Sequence, residues 1–185
     1  MSEPGVIARL GVICAASALA LSCGAPSKDD GADTRKDSGL FVANSTDFRG
    51  FHKWQSYDVT DDAELAGIHD GSTVTEYIND LPPSGADEFP LGTIIVKEAT
   101  GGTIEHELFA MVKRGGALNK IAVGWEWFDL IPVDDGKDSV IIKWHGNGPP
   151  DGESYGGDAN SGCNTCHRDC GNDSVCAKPL NLSNF

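Results

Sequence analysis

Two thiols and an imidazole stand close together near the C-terminus, in the segment Cys163-Asn-Thr-Cys166-His167. Two cysteines three positions apart, followed at once by a histidine, form the attachment pattern of haem c. The thiols bond to the two vinyl groups on one edge of the porphyrin, and the adjacent imidazole then binds the iron. The sequence therefore predicts one covalent haem c, held by Cys163 and Cys166, with His167 as the iron ligand.

Three other kinds of site stay open for the same cluster. A zinc site would add Cys170 and Cys176 to the segment, although zinc ribbons usually use two separated cysteine pairs. An iron–sulfur cluster would also use these thiolates. A pair of structural disulfides in a C-terminal cap is the third alternative. We prefer haem c, because at average composition a C-x-x-C-H run arises rarely by chance.

The N-terminus carries an export signal rather than a fold. An apolar run over 10–21 is too short to span a bilayer but suits the core of a signal peptide. It ends in Ala20-Leu21-Ser22-Cys23, which resembles the site where bacterial lipoproteins are cut and acylated. We expect a signal peptide over 1–22 and a lipid on Cys23, which would anchor the chain to the bacterial cell envelope at its periplasmic face. A plain secretory signal and an uncleaved anchor are the alternatives, and both export the chain.

The residues after Cys23 predict a tether and then one domain. The stretch 24–39 contains no large apolar side chain, so we expect 23–39 to be a disordered tether and 40–185 a single haem domain. The formal net charge is −14. Such a charge argues against nucleic acid and against a polybasic membrane patch, and it suits a basic redox partner protein. Contact with the membrane is therefore expected through the lipid only.

Two cysteines lie outside the C-x-x-C-H motif in the mature C-terminal region. Cys170 and Cys176 are close in sequence, with Gly171 between them. An exported protein meets an oxidising compartment, where neighbouring thiols tend to pair. We predict a disulfide between Cys170 and Cys176.

The part of the chain that must position these groups has the sequence pattern of short strands separated by turns. Alternating and β-branched residues predict strands at 73–78, 92–98, 107–113, 121–130 and 139–144. A shorter extended piece is predicted at 56–59. Capping residues predict short helices at 46–54 and 60–64, and a Gly/Pro/Asp-rich composition predicts a loop over 146–162. The expected fold class is mainly β (α+β), a curved antiparallel sheet with a few short helices and a C-terminal haem c attachment segment.

Several stretches in the same order resemble the cytochrome P-460 family. They are Phe89-Pro-Leu-Gly-Thr-Ile-Ile-Val-Lys-Glu98, Met111-Val-Lys-Arg114, Gly124-Trp-Glu-Trp-Phe128, the C-x-x-C-H motif and Asn172-Asp173-Ser174-Val175. The resemblance runs from about Trp54 to Leu182. The sequence departs from the family at Cys176, where an aromatic residue is usual, and in its additional Cys170.

The resemblance implies a β-rich haem-c domain, often a homodimer, whose iron has an open distal face. Family members of one kind oxidise hydroxylamine and carry a covalent bond from a lysine to the haem edge. Cytochromes of the c-prime-beta type share the fold without that bond, and they bind nitric oxide or carbon monoxide. Both kinds therefore bring a small-molecule ligand or substrate, hydroxylamine or nitric oxide, to an open iron.

Lys97 and Glu126 are the candidate catalytic residues. Lys97 lies on the strand that resembles the lysine-bearing strand of the family, with a surface lysine as the alternative and Lys113 as a weaker candidate. Glu126 stands between two tryptophans and is a candidate distal proton acceptor, since oxidation of hydroxylamine must release N–H protons. A solvated glutamate on an alternating strand is the alternative for Glu126.

Two functions from different classes follow. In the first, the protein is an exported haem oxidoreductase of the hydroxylamine-oxidising type. In the second, it is a non-enzymatic haem protein that binds nitric oxide or transfers electrons. A sixth iron ligand would favour plain electron transfer, and the candidates for it are Met111, His52, His69, His106 and His145. Met111 is more simply a core residue, and the histidines are more simply surface groups.

Overall fold

The computed structural model describes residues 39–62, 73–103, 105–148 and 162–185. The predicted signal peptide over 1–22, Cys23 and all of the predicted tether except Gly39 lie outside these residues. Within the described ranges, no helix is long and apolar enough to cross a membrane.

Six strands form one antiparallel sheet in which each strand pairs with the next one along the chain. The strands are β1 (Gln55–Asp58), β2 (Thr73–Ile78), β3 (Ile94–Thr100), β4 (His106–Lys113), β5 (Trp125–Val133) and β6 (Ser139–Gly146). Among the described residues, one α-helix, α1 (Gly162–Asp169), follows the sheet. Short 3-10 helices flank the sheet at Ser45–Phe48, Phe51–Lys53, Asn172–Ser174, Lys178–Leu180 and Leu182–Asn184. The predicted mainly-β class is thus confirmed.

Alternation along the strands gives the sheet two different faces. In β3, Ile94 and Val96 belong to one apolar cluster, whereas Ile95 and Ala99 belong to a second. Lys97 is in phase with Ile95, so it lies on the face of the second cluster. We call that side the cavity face and the side of Val96 the N-terminal face.

Residues from the N-terminal part of the described chain cover the N-terminal face. Phe48 and Phe51, from the two 3-10 helices before β1, are 0% and 1% exposed. The Phe48 ring lies 5.2 Å from the ring of Phe128 in β5. Asn44 caps the first of these helices, because its side chain accepts from Thr46 N at 3.0 Å. This face is closed by an ordinary apolar core.

The C-terminal residues cover part of the cavity face. Val175, Ala177, Leu180 and Leu182 are buried and pack in the same cluster as Trp125. Lys178 fastens this segment to the start of the domain, because its backbone N–H donates to Asp62 at 2.9 Å and its Nζ lies 3.2 Å from the same carboxylate. The C-terminal segment therefore completes the second core and holds α1 beside the sheet.

Two predictions about elements need correction, and one element was not predicted. The strand predicted over 121–130 begins only at Trp125, since the Asn119 side chain accepts from Ile121 N and Ala122 N and folds 119–124 into a turn. The described part of the helix predicted over 60–64 is also a turn, and its remaining residues lie outside the described ranges. The cysteine segment, for which no element was predicted, forms α1.

Candidate functional site

Helix α1 brings the thiols and the imidazole of the C-x-x-C-H motif to one surface. Cys163, Cys166 and His167 stand at positions i, i+3 and i+4, which lie on the same face of an α-helix. All three line a cavity of about 450 Å³ between α1 and the sheet. A volume of this size is typical of a small-molecule or cofactor site. The helical spacing therefore directs the two thiols and the imidazole of the motif into the same cavity.

Asn164 fixes the position of α1 against the sheet. Its side-chain oxygen accepts from Trp127 Nε1 at 2.8 Å and from Asn119 Nδ2 at 2.7 Å, and its amide donates to the Asn147 carbonyl. Asn164 thus ties the helix to β5 and to the turn before it. Sequence reasoning missed this residue, because the two central positions of C-x-x-C-H carry no signal of their own.

His167 is prepared to act as a metal ligand through its outer nitrogen. Its Nδ1 lies 2.7 Å from the carbonyl oxygen of Ser174, so Nδ1 carries the proton and donates it. The other ring nitrogen, Nε2, then keeps the lone pair that binds a metal ion. Burial and, to a smaller extent, the charge of Lys97 lower the pKa of His167 to about 4, although the hydrogen bond to Ser174 acts in the opposite direction. The imidazole is consequently neutral near pH 7, as a metal ligand must be.

The four cysteines of this region separate into two kinds. Cys163 and Cys166 are free thiols, and burial raises the pKa of Cys163 to about 11. The sulfur atoms of Cys170 and Cys176 lie 1.97 Å apart, at disulfide distance. A disulfide removes two of the five candidate donors of the zinc alternative and leaves three, fewer than the four that a structural zinc site uses. Within the described ranges, no group of three or more His, Cys, Asp or Glu side chains is arranged to hold a metal ion.

The sheet side of the cavity is apolar around a small group of ionisable side chains. Ile95, Met111 and Trp127 supply apolar walls, and the Trp127 ring lies 4.5 Å from the ring of His167. Lys97 also lines the cavity and is 7% exposed, so it is not the surface lysine of the alternative interpretation. Lys97, Cys163, Cys166 and His167, which the sequence singled out for different reasons, thus meet in one space.

Glu76 is the functional candidate that sequence reasoning missed. It pairs directly across β2 and β3 with Lys97, and its Oε1 lies 3.3 Å from Lys97 Nζ. The side chain is 5% exposed and lines the cavity. Its second oxygen, Oε2, is buried and accepts no hydrogen bond from any described residue. Burial raises the pKa of Glu76, and the charge of Lys97 opposes that rise.

The structure places Glu126 away from the cavity. Glu126 alternates with Trp125 and Trp127, so it points to the N-terminal face. There its Oε1 accepts from His145 Nδ1 at 2.8 Å and its Oε2 lies 3.4 Å from Arg114 Nη1. Glu126 is 2% exposed, so it is not the solvated glutamate of the alternative interpretation either. The geometry gives it a structural ion pair rather than access to a bound substrate.

The candidate sixth ligands lie on both sides of the sheet. His52 and His106 both contact the Glu98 carboxylate, at 3.2 Å and 2.8 Å, on the N-terminal face. His145 stacks on Phe128 of the same face at 5.3 Å between ring centroids. Of the described candidates, Met111 alone lines the cavity. Its side chain is 6% exposed and also belongs to the second apolar cluster. His69 lies outside the described residues.

A signal for Glu76 and Lys97 was present in the strand patterns. Glu76 stands in phase with the apolar Val74 and Ile78, and Lys97 stands in phase with Ile95 and Ala99. An ionisable residue at an inward position of a strand marks a buried charge, and buried charges with shifted pKa values gather at functional sites. What the sequence could not provide was the pairing of β2 with β3 that joins the two side chains.

Comparisons of the chain with protein-family models, with curated proteins and with solved structures gave no match, so the functional assignment depends on the residues and geometry of this site.

Proposed function

We propose that the protein is an exported c-type cytochrome that holds one haem c in the cavity between α1 and the sheet. The observation that carries the proposal is the hydrogen bond from His167 Nδ1 to the Ser174 carbonyl, on a helix whose same face presents two free thiols. Iron-binding histidines usually donate their second ring nitrogen to such a carbonyl, which fixes the tautomer and the orientation of the ring.

The residues at the cavity fit the proposed group. Cys163 and Cys166 would hold it through thioether bonds, each formed when an S–H group adds across a vinyl double bond, so that sulfur bonds to one carbon and hydrogen to the other. This addition is redox-neutral and needs no oxidant. His167 would bind the iron through Nε2, and Ile95, Met111 and Trp127 would exclude water from the ring.

Hydroxylamine oxidation is the reaction that we propose, following the resemblance to cytochrome P-460. When bound, the haem would supply an iron that takes a small nitrogen ligand, accepts its electrons one at a time and passes each to the expected redox partner protein. Among the carboxylates that line the cavity, Asp129 is paired with Lys143 and Asp169 with Arg168, whereas Glu76 Oε2 is buried without a described partner and is suited to accept a substrate proton. Glu76 therefore takes the proton-acceptor role that the sequence suggested for Glu126. Lys97 remains the candidate for a covalent bond to the haem edge.

The second candidate function is binding of nitric oxide, or electron transfer, without catalysis. The observation that favours it is the contact between Lys97 Nζ and Glu76 Oε1, at 3.3 Å. In this ion pair the Lys97 nitrogen is held by a carboxylate, and an ammonium nitrogen has no free lone pair with which to bond to the haem edge. If the pair persists in the mature protein, Lys97 forms no bond to the haem and the enzymatic route through Lys97 fails.

The haem assignment is tested by expression with a c-type maturation system and extraction with acid–acetone. We expect the haem to stay with the protein, the Cys166→Ser variant to lose covalent haem, and the double variant Cys170→Ser/Cys176→Ser to keep it. The double variant is the matched control, because it also removes thiols from the C-terminal region but leaves the motif intact. One equivalent of zinc per chain, with no iron, would overturn the proposal.

The choice between the two functions is tested by peptide mapping of the haem protein. Joining of the Lys97 peptide to the haem peptide, together with hydroxylamine oxidation that is lost in Lys97→Ala, supports the enzyme. Nitric oxide binding without either observation supports the second function. A low-spin spectrum in both oxidation states would show that the sixth position is filled and would contradict the open site.

The proposed location is the periplasmic face of the cell envelope, with the lipid on Cys23 as the anchor. Mass spectrometry of the mature protein should find an acylated Cys23 at the N-terminus. A soluble product that begins at another residue would remove the lipid from the proposal but keep export.

A further inference from the structure

Three consecutive residues beside the motif have a left-handed backbone, and none of them is glycine. The φ values of Asn172, Asp173 and Ser174 are 44°, 53° and 66°. Residues other than glycine occupy this region at a cost, and a strained segment persists only when its surroundings hold it in place. Such segments gather at functional sites. The segment 172–174 is therefore a candidate for a functional role.

The Asp173 carboxylate is the main attachment of this segment to the sheet. Lys113 Nζ, from the end of β4, donates to both of its oxygens at 2.7 Å, and the Phe89 backbone N–H donates to it at 2.9 Å. The Asp173 carbonyl accepts from Trp125 Nε1 at 2.7 Å. The side chains of Lys113 and Asp173 are only 8% and 12% exposed, so this ion pair is shielded from solvent.

Asn172 supports the same turn from its other side. Its amide donates to the Val175 carbonyl at 3.0 Å and to the Leu180 carbonyl at 3.1 Å, and its oxygen accepts from Leu182 N at 2.8 Å. The disulfide-distance pair Cys170–Cys176 closes the loop that contains the turn. The left-handed conformation is thus fixed from several directions.

The turn presents one group to the site, the Ser174 carbonyl that accepts from His167 Nδ1 at 2.7 Å. This carbonyl follows directly after Asp173, so its direction depends on the strained backbone that Lys113 and Asp173 hold. If the ion pair is removed, the turn loses its charged attachment to β4, and the carbonyl is then free to move away from the imidazole. The hydrogen bond that defines the His167 tautomer would weaken as a result.

We propose that Lys113 and Asp173 are positioning residues that hold the Ser174 carbonyl against His167 Nδ1 and thereby fix the Nδ1–H tautomer and the orientation of the imidazole. The consequence for an iron ion on Nε2 depends on the proposed haem function. A strong hydrogen bond at Nδ1 makes the imidazole a stronger donor and stabilises ferric over ferrous iron. Loss of the ion pair therefore raises the reduction potential and weakens the iron–histidine bond.

The experiment compares the wild type with the double variant Lys113→Met/Asp173→Asn. Replacing both partners leaves no buried charge uncompensated, and asparagine tolerates the left-handed backbone at position 173. The single variant Asp173→Asn, which changes the side chain least, gives a second measurement if the double variant folds poorly. Lys113→Arg tests rescue, because arginine can keep a two-point contact with the carboxylate.

Lys178→Met is the matched control. It removes another ion pair that joins the C-terminal segment to the rest of the domain, with Asp62, at 3.2 Å. That pair lies outside the 172–174 turn, so its loss should lower stability without changing His167. A merely structural role of Lys113 and Asp173 would make their variants behave like this control.

Two readouts decide the inference. In the haem protein, we expect the double variant to favour the ferrous form about tenfold more than the wild type does, a rise of about 59 mV for a one-electron couple, with a lower iron–histidine stretching frequency. Lys113→Arg should restore most of the wild-type value, and Lys178→Met should show no change. Equal potentials and equal stretching frequencies in wild type and folded variants would overturn the inference.

The second readout does not need haem. Nitrogen NMR of His167 in the haem-free protein should show the Nδ1–H tautomer in the wild type and a shift towards Nε2–H in the double variant. An unchanged tautomer in the double variant would overturn the inference even where the haem assignment holds. If the wild type takes up no haem, the proposed function fails, and the tautomer alone decides whether Lys113 and Asp173 position the carbonyl.

Discussion

The two faces of the sheet both bury carboxylates, but they satisfy them differently. On the N-terminal face, Glu126 is bonded to His145 and lies beside Arg114, and Glu98 is bonded to both His52 and His106. On the cavity face, Asp129 accepts from Lys143 at 2.9 Å, whereas Glu76 has one contact with Lys97 and keeps Oε2 without a described hydrogen-bond partner. Both faces are therefore charged inside, yet among the carboxylates named here Glu76 alone keeps a buried oxygen without a described donor.

A buried carboxylate whose oxygens both have partners has a structural role, whereas a buried carboxylate with an unbonded oxygen can still accept a proton. A buried acceptor without a partner costs stability, typically about 1–3 kcal/mol. Such a cost persists in a folded protein where a bound group or a substrate makes use of the acceptor. The comparison predicts that substitutions on the N-terminal face change stability and that Glu76→Gln changes function.

The largest effect is expected from the apolar core of the N-terminal face. Phe48→Ala removes a fully buried ring that packs on Phe128, and it should lower the free energy of unfolding by about 3–5 kcal/mol. Urea denaturation followed by fluorescence measures the change. Val42→Ala, on the same segment but 48% exposed, is the control and should change stability by less than about 0.5 kcal/mol. A changed haem spectrum in folded Phe48→Ala would mean that the two faces are not independent.

The next effect tests the open acceptor itself. Glu76→Gln keeps the shape of the side chain but removes its basicity, so hydroxylamine oxidation should fall about 100-fold or more, as expected for loss of a general base. Nitric oxide binding should be unchanged, since it requires no proton transfer. Steady-state kinetics and an optical titration with nitric oxide measure the two properties. An unchanged rate would remove Glu76 from the proposed mechanism.

Glu126→Gln is the matched substitution on the other face and should have a smaller, purely structural effect. It weakens the contacts with Arg114 and His145, so we expect a loss of about 1–2 kcal/mol in the free energy of unfolding. The rate of hydroxylamine oxidation should stay at the wild-type value. A large loss of rate with intact stability would return Glu126 to the catalytic role that the sequence suggested.

The smallest effect is a pH dependence of stability in the haem-free protein. Burial raises the pKa of Glu76 above its ordinary value of 4.5, so the folded state keeps a proton that the unfolded state releases. The contribution of Glu76 to stability is present below pH 4.5 and is lost as the pH rises through the raised pKa. The slope for one proton is at most about 1.4 kcal/mol per pH unit. Denaturation curves of Glu76→Gln should lack this component, and an identical pH profile in both proteins would contradict it.

The strands and the motif could be predicted from the sequence because their signals are local. The β2 range of Thr73–Ile78 agrees with the predicted strand, and β3, β4 and β6 differ from prediction by one or two residues at their ends. The start of β5 was wrong, because the turn before it depends on hydrogen bonds from the side chain of Asn119 to Ile121 and Ala122. Side-chain bonds of this kind compete with strand formation and leave little mark in a pattern of apolar residues.

The face on which each strand residue lies could not be predicted as easily. Lys97 and Glu126 both stand on alternating strands, and alternation alone does not tell which side of a two-sided sheet carries the cavity. That choice depends on where α1 and the C-terminal segment pack, a long-range feature. The same limit explains why Glu76 and the Lys113–Asp173 pair appear only once the strands are paired.

The strand order has a consequence for how the molecule assembles. Because each strand pairs with its neighbour in sequence, the contacts of the sheet close short loops, a topology that favours rapid formation. If the protein is exported as proposed, with its N-terminus first, the sheet can form before Cys163 and Cys166 leave the translocation pore. Helix α1 would then pack against a sheet that is already complete. Burial of Cys163 when α1 packs against the sheet raises the pKa of this thiol to about 11 and lowers its reactivity. Covalent modification of Cys163 is therefore easier before α1 has packed than afterwards.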